Sequence, residues 1–88
     1  MINYTHIKQA VTTRQAAESF GLHVDLHSMA VCPFHDDRRP SMKVDETFYC
    51  FGCGATGDVI TFTSRLFGIT PASAARKLAM DFGMSLDE

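Results

Sequence analysis

The 88-residue chain is predicted to be an α+β fold, a small antiparallel β-sheet flanked by helices. Three observations carry that prediction. Residues 29–50 contain three short β-prone runs, MAVC, SMKV and TFYC. The segments before and after them place apolar residues at helical spacing between recognisable caps. All three cysteines, Cys32, Cys50 and Cys53, lie in the middle segment. That position suits a staple, because a chain of this size buries only about 60% of its unfolded surface. Small folds commonly add a disulfide or a metal. One domain is expected over residues 1–88, divided into an N-terminal helix and connection (1–28), a cysteine-bearing sheet (29–57) and two closing helices (58–88).

The first helix is placed over residues 7–21. Thr12 stands three residues before Gln15, the pattern of a capping box. Ala16, Ala17 and Phe20 form its apolar stripe, and Gly21 fits its stop. Ile7 and Val11 form an upstream turn that either joins this helix or precedes it. Residues 22–28 read as a polar connection. The β-prone runs follow at 29–32, 41–44 and 47–50, with Asp45-Glu46 marking a tight hairpin that lacks the usual Gly or Asn. Alternation puts Met42, Val44 and Phe48 on one face, and Ser41, Lys43, Thr47 and Tyr49 on the other. Asp58 caps VITFTSRLF, and Gly68 ends it. Thr70 caps the last helix with Pro71 at its first position, where the missing N–H is no loss. Its buried stripe is Ala75, Leu78, Ala79 and Phe82, and Gly83 stops it.

Composition narrows the function classes. Eight basic against ten acidic side chains leave a net charge of −2, so this is no basic nucleic-acid clamp. Any nucleic-acid binding has to come from a local patch. No apolar run approaches the roughly 18 residues of a membrane span. The N-terminus, MINYTHIKQAVTTRQ, lacks the basic and apolar regions of a signal peptide. A cytoplasmic, reducing setting is the expectation, and disulfides are rare there. The cysteines therefore point to metal or catalysis.

A histidine resolves their odd number. His35 lies three residues after Cys32, and Cys53 three after Cys50. The pattern is C-x2-H, fourteen intervening residues (36–49), then C-x2-C. Two ligands on each of two tight loops complete a tetrahedral site for one zinc, and three thiolates with an imidazole favour that metal. Gly52 and Gly54 let the second loop turn back, with main-chain N–H groups free to face the sulfurs, and Pro33 restricts the first loop. The plainer reading, buried thiols and a surface histidine, leaves two matched spacings unexplained. His6, His23 and His27 lack spaced partners and read as surface residues. Four protein ligands leave no open position, so the zinc is structural and no catalytic residue is expected. Asp36 and Asp37 beside His35 take a supporting or surface role. A redox role for Cys50-x-x-Cys53 would need a βαβ unit that the sequence does not show. Such a zinc carries roughly 10–16 kcal/mol of apparent binding energy, much of it expressed as folding.

The stretch CPFHDDRRPSMKV…FYCFGCGATGDVITF resembles the N-terminal zinc-binding domain of DnaG-type DNA primases of bacteria and phages. The likeness runs from about Val31 to Leu86 through the CPFH knuckle, PS with a strand after it, CFGCG, GD-x-I-x-F opening a helix, and the tail AARKLAMDFGMSL. It implies a zinc-ribbon-like sheet with Cys32, His35, Cys50 and Cys53 as ligands. It also implies a domain that helps recognise single-stranded template DNA beside a separate catalytic domain. Three features depart from the family pattern. The segment between the ligand pairs looks short. The start, TTRQAAESFGL, looks more like stand-alone relatives carried by phages and mobile elements. The family's catalytic Asp-x-Asp pair does not occur, so the chain alone is not expected to make primers. A catalytic primase or helicase acting in trans is the expected protein partner, with no membrane.

The expected DNA surface is the polar face of the hairpin. Lys43 and Tyr49 share it, Arg38 and Arg39 lead into it, and Phe51 sits at the tip of the second knuckle. Arg65 on the next helix is placed with them. Cations beside exposed aromatics are what sequence-tolerant single-strand binding requires. Two alternatives stand beside this reading. Asp36 and Asp37 could pair Arg38 and Arg39 in a solvated cluster, and Tyr49, Phe51 and above all Phe34 could pack the knuckles. A protein-docking module that keeps the zinc fold without DNA binding is the competing function, and the acidic balance favours it.

Overall fold

Thr12 divides the N-terminal region. It takes an extended conformation, accepts from the Gln15 N–H, and its own N–H donates to the Gln15 side chain at 2.9 Å. That closed capping box starts a new helix, so the segment predicted as one helix over 7–21 is two. In the computed structural model, which describes residues 2–36 and 38–86, α1 (Tyr4–Ala10) ends at the extended Val11, and α2 (Thr13–Ser19) follows. Ile7 and Val11 thus precede the capped helix, and both are buried.

The strands are β1 (Met29–Val31), β2 (Pro40–Val44), β3 (Phe48–Cys50) and β4 (Thr56–Gly57). They form an antiparallel sheet in the order β1-β2-β3-β4. β4 is too short to carry a sequence signal and was not expected. Val44 pairs with Phe48, so the hairpin turn holds three residues, 45–47, and takes in Thr47. This turn needs no glycine because helix α2 holds it. The Thr13 and Arg14 N–H groups, orphan donors of the first helical turn, donate to the Glu46 and Asp45 carbonyls at 3.2 and 2.9 Å. The Thr13 hydroxyl adds a bond to the Glu46 carbonyl at 2.8 Å.

α3 (Val59–Phe67) and α4 (Pro71–Asp81) begin at Asp58 and Thr70, as their caps predicted. The Asp58 carboxylate accepts from the Thr61 N–H at 2.8 Å and pairs with Lys8 at 3.0 Å, tying α1 to the start of α3. The inner face of the sheet, with Met42, Val44 and Phe48, packs on Phe62 of α3 and Ala17 of α2. A second apolar cluster joins Ile7, Val11, Ala16, Val59, Ile60, Ala74, Ala75 and Leu78 among the helices. No helix of the described residues is long and apolar enough to cross a membrane.

Candidate metal centre

Two turns supply two ligands each. Cys32 follows β1 and His35 lies in the turn after it, whereas Cys50 closes β3 and Cys53 sits in the turn leading to β4. The second turn reverses sharply. The Gly54 N–H donates to the Cys50 carbonyl and the Cys50 N–H to the Ala55 carbonyl, both at 2.8 Å, with Gly54 left-handed at φ 78°. Gly52 is required for a different reason than the flexibility its sequence position suggests. A Cβ there would stand 2.9 Å from Nε2 of His35, so only glycine lets the imidazole lie against this turn.

The sheet closes the two turns on each other. The ligand atoms of Cys32, His35, Cys50 and Cys53 all lie within 4.8 Å of one another. The Sγ atoms of Cys32 and Cys53 are 3.9 Å apart, and Cys50 Sγ is 3.7 Å from His35 Nδ1. Ligand atoms on a tetrahedron with Zn–S bonds of about 2.3 Å are separated by about 3.8 Å. The tetrad therefore suits one zinc. Four protein atoms fill its coordination and leave no position for an activated water, so the centre is a structural staple.

Each knuckle directs a main-chain N–H at a sulfur, Phe34 at Cys32 and Cys53 at Cys50, both at 3.4 Å. Burial pushes the Cys32 thiol up to about 12. Burial opposes ionisation of Cys50 too, but the Cys53 and Gly52 N–H groups, the Ser41 hydroxyl and the Cys32 thiol outweigh it and lower Cys50 to about 6. The Ser41 hydroxyl lies 3.7 Å from Cys50 Sγ, a contact that simple alternation missed by sending Ser41 to the outer face. The reason is a bulge. Ala30 pairs with Met42 and Val31 with Pro40, which leaves Ser41 as the extra residue and re-aims its side chain.

Phe34, at the centre of the first knuckle, packs on Phe48 and Phe62 with ring centroids 5.6 Å away in each case. The Arg65 guanidinium covers it at 4.7 Å. Arg65 thus serves the helical side of the sheet and is not brought to the hairpin's outer face. That face presents Lys43 directly across from Tyr49, followed by Phe51. Tyr49 is 46% and Phe51 66% exposed, so neither is a core residue. Their rings meet edge to face at 5.1 Å. They border a groove of about 290 Å³ that Lys43, Asp45, Thr47 and Phe48 complete. Arg38 and Arg39 are exposed just before β2. Asp36 is exposed, while Asp37 lies outside the described residues. His23 and His27 are exposed and His6 half-buried, and none of them joins a metal-binding group among the described residues.

Comparison with known proteins places the whole arrangement. The family profile of the CHC2 zinc finger matches residues 4–88. A DNA primase of Rickettsia bellii is 40% identical over an alignment of 82 positions that covers 90% of this chain and 12% of that protein. A DNA primase of Helicobacter pylori is 36% identical over an alignment of 95 positions that covers 99% of this chain and 17% of that protein. The crystal structure of the Aquifex aeolicus primase, described by its zinc-binding and RNA polymerase domains, superposes with a TM-score of 0.78 at 32% identity. That superposition covers 94% of this chain and 22% of the Aquifex chain. The chain thus spans under a fifth of the length of these curated relatives. The match begins at residue 4, well ahead of Val31. The segment TTRQAAESFGL, which looks foreign to the family in the sequence, therefore falls within the family match, as does α1.

Proposed function

The chain belongs to the CHC2 zinc-finger family of DnaG-type DNA primases, and from that premise we propose that it is a non-catalytic domain that holds single-stranded template DNA during priming. Residues 1–88 act as one unit in this reading, in the cytoplasm, beside a catalytic primase domain or a helicase. The observation that carries it is the placement of Tyr49 and Phe51 on either side of Cys50. The Cys50 side chain is buried at the tetrad, and its two neighbours are exposed. A metal held by Cys50 therefore also fixes the aromatic pair, with Lys43 beside it.

The chemistry of the outer face suits a single strand. Base stacking on exposed aromatics contributes about 1–3 kcal/mol per base and tolerates any sequence, because every base has a π-face. Lys43, with Arg38 and Arg39 at the entrance to β2, neutralises phosphates. Duplex DNA keeps its bases stacked on each other and gains only the phosphate contacts. The net charge of −2 limits the affinity, and the phosphate contacts make it sensitive to salt. Arg65 has a different part, steadying Phe34 and the first knuckle from α3. The segment TTRQAAESFGL, whose likeness is to stand-alone relatives of phages and mobile elements, lies inside the family match, and the single-strand role belongs to the domain whatever carries it.

The test is fluorescence anisotropy with zinc-loaded protein and labelled single-stranded DNA at low and moderate salt, with duplex as control. Saturable, salt-sensitive binding that prefers single strands is expected, and Lys43→Ala and Tyr49→Ala should weaken it while melting and zinc content stay unchanged. A folded, zinc-loaded sample that binds no single strand would contradict the proposal and favour the protein-docking reading, to which the acidic balance lends support.

A further inference from the structure

The groove beside Tyr49 contains a residue that a sequence-blind DNA binder has no use for. Asp45 lines it together with Lys43, Thr47, Phe48, Tyr49 and Phe51. A carboxylate beside a phosphate path weakens binding to every sequence. Its presence in the cavity is the kind of repulsive element that produces discrimination. We propose that Asp45 makes this groove selective for unpaired bases that carry an exocyclic amine over thymine, the one DNA base that lacks it. The inference rests on the single-strand reading above and concerns the base taken at that same surface.

The geometry supports a single-base site. At about 290 Å³ the groove lies near the small end of the roughly 300–1,000 Å³ that ligand sites span. Lys43 lies near the end of β2 and Asp45 opens the turn that follows it, and both line the groove. The turn that bears Asp45 is held from three directions. The Asp45 N–H donates to the Thr47 carbonyl at 2.8 Å, the Asp45 carbonyl accepts from the Arg14 N–H at 2.9 Å, and the Glu46 carbonyl accepts from Thr13. The main chain is therefore set before any ligand arrives, which lowers the ordering cost of binding. The Asp45 side chain itself enters no hydrogen bond or ion pair among the described residues.

An ionised carboxylate only accepts hydrogen bonds. Cytosine N4 and adenine N6 donate, and an acidic side chain accepting from cytosine N4 is a recurrent pairing. Thymine has a carbonyl oxygen at the same position, and its one donor, N3–H, lies between two carbonyl oxygens that repel the carboxylate. Stacking on Tyr49 and Phe51 supplies affinity for any base, and Asp45 then decides which base stays.

The experiment measures binding of zinc-loaded protein to oligodeoxycytidine and oligothymidine of equal length at one salt concentration, so that backbone charge cancels. A preference for cytidine of about tenfold is expected, within the range of one well-made base contact. In Asp45→Ala both affinities should rise, because a like charge is removed, and the preference should fall to about unity. Asp45→Asn provides a second readout. Its amide can donate to the thymine carbonyl, so thymidine should gain on cytidine. Equal binding of the two oligomers by the unaltered protein, or a preference that survives both substitutions, would overturn the selectivity and leave the single-strand function standing. Failure of the folded, zinc-loaded protein to bind either oligomer would overturn both.

Discussion

Phe48 and Leu78 are both fully buried, and they reach that state by different routes. Around Leu78 the core is assembled from helices of 9 and 11 residues whose apolar stripes are long enough to find each other. Around Phe48 the sheet has strands of 3, 5, 3 and 2 residues, too short to be stable on pairing alone. Its order comes from the ligand set, with two cysteines in the core cluster itself, and from α2, which holds the hairpin turn. Phe20 touches both clusters and stacks edge to face on Phe67 at 5.0 Å, with the Lys77 ammonium over both rings. The comparison teaches that the metal and the helices support different parts of one small core. The most exposed aromatic side chain, Phe51, and its neighbour Tyr49 are carried by the half that holds the ligand set.

The largest effect that can break this division is loss of the metal. Chelation or Cys50→Ala should unfold the sheet half, because the roughly 10–16 kcal/mol of apparent binding energy rivals the whole net stability of a small domain. The check is thermal melting with zinc content measured in parallel, and unchanged melting after complete metal removal would refute it. Leu78→Ala comes next. It should cost about 2–5 kcal/mol by opening a cavity among the helices. Zinc stoichiometry of the folded fraction should stay at one per chain, as measured by denaturation with metal analysis. Loss of zinc at equal folded fraction would show that the two halves are not separable.

Gly52→Ala sharpens the comparison from the other side. The added methyl would stand 2.9 Å from His35 Nε2 and must push the imidazole off its position. Zinc affinity should fall by about 10–100-fold, the scale of lost outer support at a metal site. The α-helical circular dichroism should persist at saturating zinc. The smallest effect belongs to Asp58. Its removal in Asp58→Ala should cost about 1 kcal/mol, the usual worth of a helix cap. Although burial resists its charge, the Thr61 N–H and Lys8 hold its carboxyl below the ordinary value of 3.8. A depressed value means that its contribution is fully present above the unfolded carboxylate range. It is lost as pH falls below about 4 through the folded value. Stability curves of the parent and Asp58→Ala should therefore converge in acid, and a gap independent of pH would contradict this role.

Much of the site was legible because its signals are local. Paired spacings named all four members of the tetrad, Asp58 and Thr70 marked helix starts to the residue, and the Thr12–Gln15 pair marked a cap inside the segment read as one helix. The missing parts depend on residues far apart in the chain. The α2 N-terminus meets the turn at 45–46 across more than thirty residues, so neither segment reveals the other. Thr56 and Gly57 become a strand only because Tyr49 and Phe48 lie alongside them. Ser41 escapes simple alternation through a bulge, which no period-two pattern contains. Arg65 reads as one of the outer cations because its charge is visible in the sequence and its partner, the Phe34 ring, is not.

The division between a metal-fixed sheet and self-supporting helices is tested most directly by hydrogen exchange, residue by residue, on the zinc-loaded and zinc-stripped protein. Removal of the metal should abolish amide protection across β2 and β3, from Met42 to Val44 and from Phe48 to Cys50, while amides of α4 around Leu78 keep measurable protection. Protection of β2 and β3 that survives complete removal of zinc would contradict the account.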